Sequence, residues 1–397
     1  MKKYILYSLL VTLLGACDFV SGEGGNGDNA VYMSNPNNVL SMLVNDKGGS
    51  IAVTPRLALM ADEPVSVTIA VDENTLQEYN KENGLNLKSV APEDFVFVAS
   101  DGRETHGEAT VVIEKGQVKG LVEVRVPSID ENKYPHSGRF AIPLRIVSAS
   151  HFEVLSSPRT AIVLLNRELV TSIAYFKKEG PILFKPKTPY TEPMSEWTIQ
   201  LSAIFPALSN SNTTTISMQN PGGGEFYTRI AAANGIQVKN GRDGADTWTK
   251  KPLKTNVWLH ITYVYKDSSI SVYVNGEFQK TFETSPLYMG PNSGWYVGNN
   301  TWKKIYLREV RFWDKALKEA DILDKLYLPQ DVSDPNLQMY APFAKPDDNG
   351  MPLELTGNWT VSYMNPNYVP QLEYIDNVLF PADKLEFKEV DSADNNE

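Results

Sequence analysis

One cysteine in 397 residues leaves nothing for a disulfide framework or a multi-thiolate metal site. Histidine is almost as scarce. His106, His136, His151 and His260 stand singly, and no His-x-x-x-His pair places two imidazoles on one helical turn. Basic charge is in the minority, with 37 Lys+Arg against 48 Asp+Glu, a net charge of −11 and a pI near 5.1. Phosphate-backbone binding needs a basic face, so this balance excludes nucleic acid as an expected partner. No Gly-x-Ser-x-Gly elbow is present, and Gly222-Gly223-Gly224 lacks the lysine and following helix of a phosphate loop, so it reads as a turn linker. Beyond residue 14 no stretch approaches the 18 consecutive apolar residues of a transmembrane helix.

What remains is ordinary globular composition. Hydrophobic residues make up 42% and charged residues 21%, which argues for packed cores and against wholesale disorder. At roughly 100–200 residues per domain the length fits two domains. The expected limits are a leader over 1–17, a flexible tether over 18–30, a first β domain over 31–166, a second over 167–380 and an acidic tail over 381–397.

The lone cysteine sits where it carries meaning. Met1-Lys2-Lys3 is a short positive segment, and Tyr4–Leu14 follows without a charge. That run is shorter than the roughly 20 residues of a permanent membrane helix and fits the core of an export signal. Leu14-Gly15-Ala16-Cys17 resembles the lipobox of bacterial lipoproteins, in which small residues precede the cleaved bond and the thiol carries diacylglycerol. The resemblance implies a membrane anchor at Cys17, held by several acyl chains, on the outer membrane and at the cell surface. Asp18–Ala30, Gly-rich, acidic and apolar-poor, then reads as the tether.

From Val31 to Asn166 short alternating segments are broken by turn residues. Val65–Val71 alternates strictly with period two, as a half-buried strand does. Ala109–Ile113, Gly120–Val126, Phe140–Val147 and Thr160–Leu165 supply further strands, and Glu73–Asn83 reads as a short helix stopped by Gly84. The spacing predicts an antiparallel sandwich of immunoglobulin-like size. Val71-Asp72 with Tyr79–Gly84, then Thr110–Gly116, then Ile142–Ile146 resemble the N-terminal domain of unknown function found in glycan-utilisation surface lipoproteins. That resemblance implies no catalytic residue.

The remainder differs in character, since all seven tryptophans lie in it: Trp197, Trp248, Trp258, Trp295, Trp302, Trp313 and Trp359. Trp258–Tyr265 and Ile270–Val274 read as a hairpin, and Asn275-Gly276 is the dipeptide that best tolerates positive φ in the next tight turn. Ile305–Trp313 is another strand, running into a short helix near Asp314–Ile322. The Trp-x-His strand, the Val-Tyr-Val-Asn-Gly turn and the Glu-Val-Arg-Phe-Trp strand resemble the laminin-G-like, concanavalin-like jelly roll. The expected fold is therefore all-β, an immunoglobulin-like β-sandwich followed by a concanavalin-like jelly roll. A fold alone does not settle function.

Glycoside hydrolysis needs two carboxylates roughly 5–10 Å apart. The nearest approach to the Glu-x-Asp-x-x-Glu pattern of jelly-roll glycosidases is Glu319-Ala320-Asp321-Ile322-Leu323-Asp324, in a segment of helical apolar spacing. Residues two apart on a helix point about 200° apart, so Glu319 and Asp321 do not share a substrate. His260 alternates with Trp258 in a strand and reads as structural. No cofactor is expected. Asp243 and Asp246 are weak calcium candidates, because some laminin-G-like relatives hold calcium at a sheet rim with hard oxygen ligands.

Aromatic residues carry the positive case, since sugar rings stack on flat aromatics while polar side chains fix the hydroxyls. Trp197, Trp258 and Trp313 lie inside strands at core positions of the resembled family. Trp248 lies in a polar, Gly-rich segment with Arg242, and Trp295, Tyr296 and Trp302 flank Gly298-Asn299-Asn300 in a second one. The expected carbohydrate-binding residues are therefore Arg242, Trp248, Trp295, Tyr296, Asn299, Asn300 and Trp302. The expectation is a non-catalytic surface lipoprotein that captures glycan, with an outer-membrane glycan transporter as the partner implied by the resemblance. An adhesive protein-binding role and a divergent glycosidase are the alternatives.

Overall fold

The computed structural model describes residues 29–34, 38–192, 194–208, 213–222, 226–239, 247–298, 304–363 and 366–389, without the side chains of 219–222, 288–291 and 366. Within these residues the regular secondary structure is nearly all strand. The first half opens with β1 (Ala30–Met33), β2 (Val39–Val44), β3 (Gly49–Val53) and β4 (Pro55–Leu57). β5 (Val65–Val71) buries alternate residues, as its sequence predicts, and leads into α1 (Glu73–Asn83). Gly84 ends that helix at φ 65°, a left-handed cap that glycine adopts without a Cβ penalty. Then come β6 (Lys88–Ser89), β7 (Val96–Val98), β8 (Glu104–Thr105), β9 (Glu108–Ile113) and β10 (Val122–Val126). β11 (Phe140–Ala149), β12 (Glu153–Val154) and β13 (Thr160–Arg167) complete the first half.

Its two main sheets run β3-β10-β7-β8 and β2-β13-β11-β5-β9, closed over a core that includes Val67, Ile69, Phe97, Val124, Ile142 and Leu144. The sandwich is not wholly antiparallel. β2 pairs β13 in parallel, and so do β1 with β12 and β6 with β11. Parallel partners need a long connection, and the whole of β3–β12 intervenes between β2 and β13. Alternation within a strand does not report which distant strand it meets.

The second half begins with β14 (Leu169–Lys178), β15 (Ile182–Pro186), β16 (Glu196–Ile204), β17 (Thr213–Gly222), β18 (Tyr227–Ala231) and β19 (Gly235–Lys239). The expected hairpin follows as β20 (Trp258–Lys266) and β21 (Ser269–Val274), and β22 (Glu277–Glu283) returns after Asn275 (φ 51°) and Gly276 (φ 78°). A Cβ on Gly276 would meet Leu323 Cδ2 at 2.2 Å, so this turn also seats the covering helix. β23 (Tyr288–Val297) and β24 (Tyr306–Trp313) lead to α2 (Glu319–Asp324). β25 (Leu337–Ala341), β26 (Trp359–Tyr363) and β27 (Gln371–Phe380) finish the half.

Two sheets face each other here, β22-β21-β20-β16-β24-β14-β27 with β25 beside β24, and β19-β18-β17-β23-β15-β26. Their inner faces bury an aromatic core. Trp197 packs edge-on to Trp295 (5.3 Å) and Phe226 (5.3 Å), and stacks on Tyr265 (5.1 Å). The first and last strands of this half are neighbours, with Leu169 opposite Phe380.

The two halves touch through a few polar contacts. Arg139 Nη1 reaches Asp324 Oδ1 at 2.7 Å and donates to the Asp324 carbonyl at 2.8 Å. Lys388 pairs with Glu168 and lies 3.3 Å from Asp46. A cavity of about 290 Å³ at this junction is lined by Asp46, Glu131, Arg167, Glu168 and Lys388, among others.

Candidate functional site

The outer face of the eight-stranded sheet is polar yet covered. Glu309 takes up φ 56° at a bulge in β24, and its carboxylate meets Arg308 at 3.1 Å and Arg311 at 2.6 Å. The Tyr340 hydroxyl donates to both of its oxygens, at 3.1 and 3.0 Å. Arg311 also donates to the carbonyls of Lys325 and Leu328, tying the sheet to the segment after α2. His260 Nδ1 lies 2.6 Å from Ser202 Oγ, and burial, helped by Arg308 and Arg311, pushes its pKa down to about 3. The ring is neutral and structural. Glu319 and Asp321 sit exposed on α2 as the spacing predicted, with Asp321 capping the helix at Lys318.

The six-stranded sheet is different, because its outer face sets half-buried aromatic and polar side chains around a floor of small residues. Pairing registers place Lys239, Tyr227, Ser217, Tyr296, Leu183 and Ser362 in one row across all six strands. Alternation puts Phe226, Thr228, Trp295, Val297, Ile182 and Phe184 on the other side, in the core. One pleat away runs a second row, Trp248-Gln237-Arg229-Thr214, in which Trp248 adds a single bridge to the free edge of β19. That bridge is held by Val238 N–H to Thr247 O (2.8 Å) and Thr249 N–H to Ile236 O (2.9 Å). Lys280 Nζ donates to the Trp248 carbonyl at 3.0 Å.

Small outward residues, Thr214, Ser217 and Gly294, form a low floor between Tyr227 and Arg229 on one side and Leu183 on the other. The Tyr227 hydroxyl bonds to Thr214 Oγ1, and the Arg229 guanidinium lies 5.1 Å over the Tyr227 ring. Gln237 Nε2 donates to Thr247 Oγ1 at 2.9 Å. Two buried polar atoms beside each other lack any partner, Arg229 Nε and Gln237 Oε1. Burial also raises the pKa of the Tyr296 hydroxyl above the usual phenol value.

Of the sequence-predicted residues, Trp248 and Tyr296 lie on this one face, half-buried. From strand spacing they stand about 20 Å apart. Trp295 is corrected. It is 0% exposed, with its ring against Trp197, Phe226 and Phe312, and offers no face to a ligand. Its strand continues to Val297, so the segment before Gly298 is sheet and not loop. Arg242, Asn299, Asn300 and Trp302, the calcium candidates Asp243 and Asp246, and the lipidation candidate Cys17 lie outside the described residues. Among the described residues no group of three or more His, Cys, Asp or Glu side chains is placed to hold a metal. Sequence reasoning missed Tyr227, Arg229 and Gln237. Their alternation with Phe226, Thr228, Ile230, Ile236 and Val238 is visible, but the register that joins them to Trp248 is not.

Residues 191–323 match the profile of the concanavalin A-like lectin/glucanases superfamily, of the laminin G type. The second half is a concanavalin-like jelly roll. Residues 27–153 match a second profile, described as an N-terminal domain, so the jelly roll follows a separate recognised unit. No curated protein matches the chain. A proposed carbohydrate-binding protein from Bacteroides ovatus superposes with TM-score 0.55 and 19% identity, covering 87% of this chain and 97% of its own. EndoBT-3987 of Bacteroides thetaiotamicron, solved with a Man5GlcNAc product, gives TM-score 0.26 and 18% identity over 32% of this chain and 28% of its own. A SAP-like pentraxin from Limulus polyphemus gives TM-score 0.31 and 14% identity over 52% of this chain and 94% of its own.

Proposed function

We propose that this protein is a non-catalytic carbohydrate-binding protein, anchored by lipid at Cys17 on the cell surface, that captures glycan for an outer-membrane transporter. The observation that carries the binding reading is the outer face of the six-stranded sheet. It sets Trp248 and Tyr296 on one surface, with the unpartnered atoms of Arg229 and Gln237 beside Trp248. Flat rings take the apolar faces of sugars, and directional donors and acceptors take their hydroxyls. The Bacteroides ovatus protein, alike in fold over most of both chains, supports a carbohydrate ligand. Among the described residues the strands of this face carry no aspartate or glutamate. The first half then serves as spacer.

Affinity electrophoresis through a panel of neutral and acidic polysaccharides tests the site. Wild type is retarded by at least one of them, and Trp248→Ala and Tyr296→Ala each weaken that retardation about tenfold or more. No retardation in any gel, or equal retardation of all three proteins, refutes the site. Release of reducing ends from the same polysaccharides would instead make the protein an enzyme. Metabolic labelling with palmitate in wild type and Cys17→Ser, with protease shaving of intact cells, tests the anchor and its exposure.

A further inference from the structure

We infer that the six-stranded face selects an acidic polysaccharide, holding a uronate carboxylate on Arg229. This rests on the carbohydrate-binding reading above and narrows its ligand class.

Charge segregation carries the inference. The whole chain has net charge −11, yet β15, β17, β18, β19, β23 and β26 contain no aspartate or glutamate at any position. The same six strands hold three cations, Lys185, Arg229 and Lys239. All three occupy outward positions, and among the described residues none is ion-paired. A neutral sugar gives these cations nothing to balance. A polyanion does, and strands without a carboxylate offer it attraction without local repulsion.

Geometry at Arg229 identifies the anion. Its guanidinium is steadied over the Tyr227 ring at 5.1 Å, and its buried Nε has no partner. The two terminal nitrogens at the outer end of this half-buried side chain form the fork that grips a carboxylate through two parallel hydrogen bonds. Next to it stands Gln237, its amide nitrogen on Thr247 Oγ1, which brings a polar pair beside the guanidinium for a sugar hydroxyl. A uronate carries both groups, a carboxylate and neighbouring hydroxyls, and Trp248 stands beside the pair to take the ring face. Lys185 lies three strands away and four residues along, about 20 Å from Arg229, so it meets a different sugar of the same chain. The ligand is therefore a polymer.

The test uses the full chain with polygalacturonate, alginate and hyaluronan, the carboxyl-reduced form of each, dextran sulfate, and neutral mannan, arabinan and xyloglucan. At least one uronan is retained at least tenfold more tightly than its carboxyl-reduced form. Arg229→Gln abolishes that preference, Arg229→Lys restores only part of it, and Lys115→Gln on the first half leaves it unchanged, with thermal melts confirming that each variant folds. Retention of a neutral or carboxyl-reduced polymer, indifferent to Arg229→Gln, overturns the inference and leaves carbohydrate binding standing. Stronger retention on dextran sulfate than on every uronan overturns the carboxylate assignment. Retention of nothing in the panel overturns the carbohydrate reading itself.

Discussion

Arg308 and Arg311 stand three residues apart on β24 yet point to the same face of the sheet, opposite Ser202 and Gln200. An unbroken strand would send them to opposite faces, because side chains alternate. The bulge at Glu309 adds the extra residue that restores the parity, and its carboxylate then bridges the two guanidiniums. Replacing Glu309 by Gln keeps the shape and leaves two buried cations without their anion. The expected cost is about 3–5 kcal/mol, read as a lowered urea midpoint for the second half.

Trp295 and Trp248 separate packing from binding. Trp295→Ala opens a void at the centre of the aromatic core and costs about 3–5 kcal/mol. Trp248→Ala, at a half-buried edge position, changes stability by about 1 kcal/mol or less while removing glycan retention. Calorimetric melts of both variants check the contrast.

His260 gives the protein an acid-side liability. Its native pKa, depressed to about 3 by burial, lies below the ordinary value of 6.5, so the unfolded chain takes up a proton first as pH falls. Stability is full above pH 6.5 and declines between 6.5 and 3, at no more than about 1.4 kcal/mol per pH unit from this group. His260→Asn, measured by denaturant titration across that window, shows a shallower decline than wild type.

The regular parts of this fold are written locally and were legible for that reason. Val65–Val71 alternates, Gly84 stops α1, and Asn275-Gly276 turns the hairpin into β22, each through residues near one another in the chain. What escaped depends on parity and register. Trp295 sits in a strand that reads Met-Gly-Pro-Asn-Ser-Gly before it, a composition of poor strand propensity, so its alternation with Tyr296 was hidden among loop-like residues. Tyr296 came out on the exposed side of the same strand for the same reason that Trp295 did not. The parallel pairing of β2 with β13 and the row joining Trp248 to Arg229 are decided between distant segments, and no local pattern announces them.

The neighbourhood of β14 and β27 has a mechanical consequence. The jelly roll is entered at Leu169 and left at Phe380, which face each other across one ladder. A chain held from its N-terminal side and pulled by a bound polymer takes the load along β14. The hydrogen bonds to β27 and β24 lie across that pull, so many share the force at once instead of opening one after another like a zip. The connection to the first half is thereby made at a place suited to bear tension.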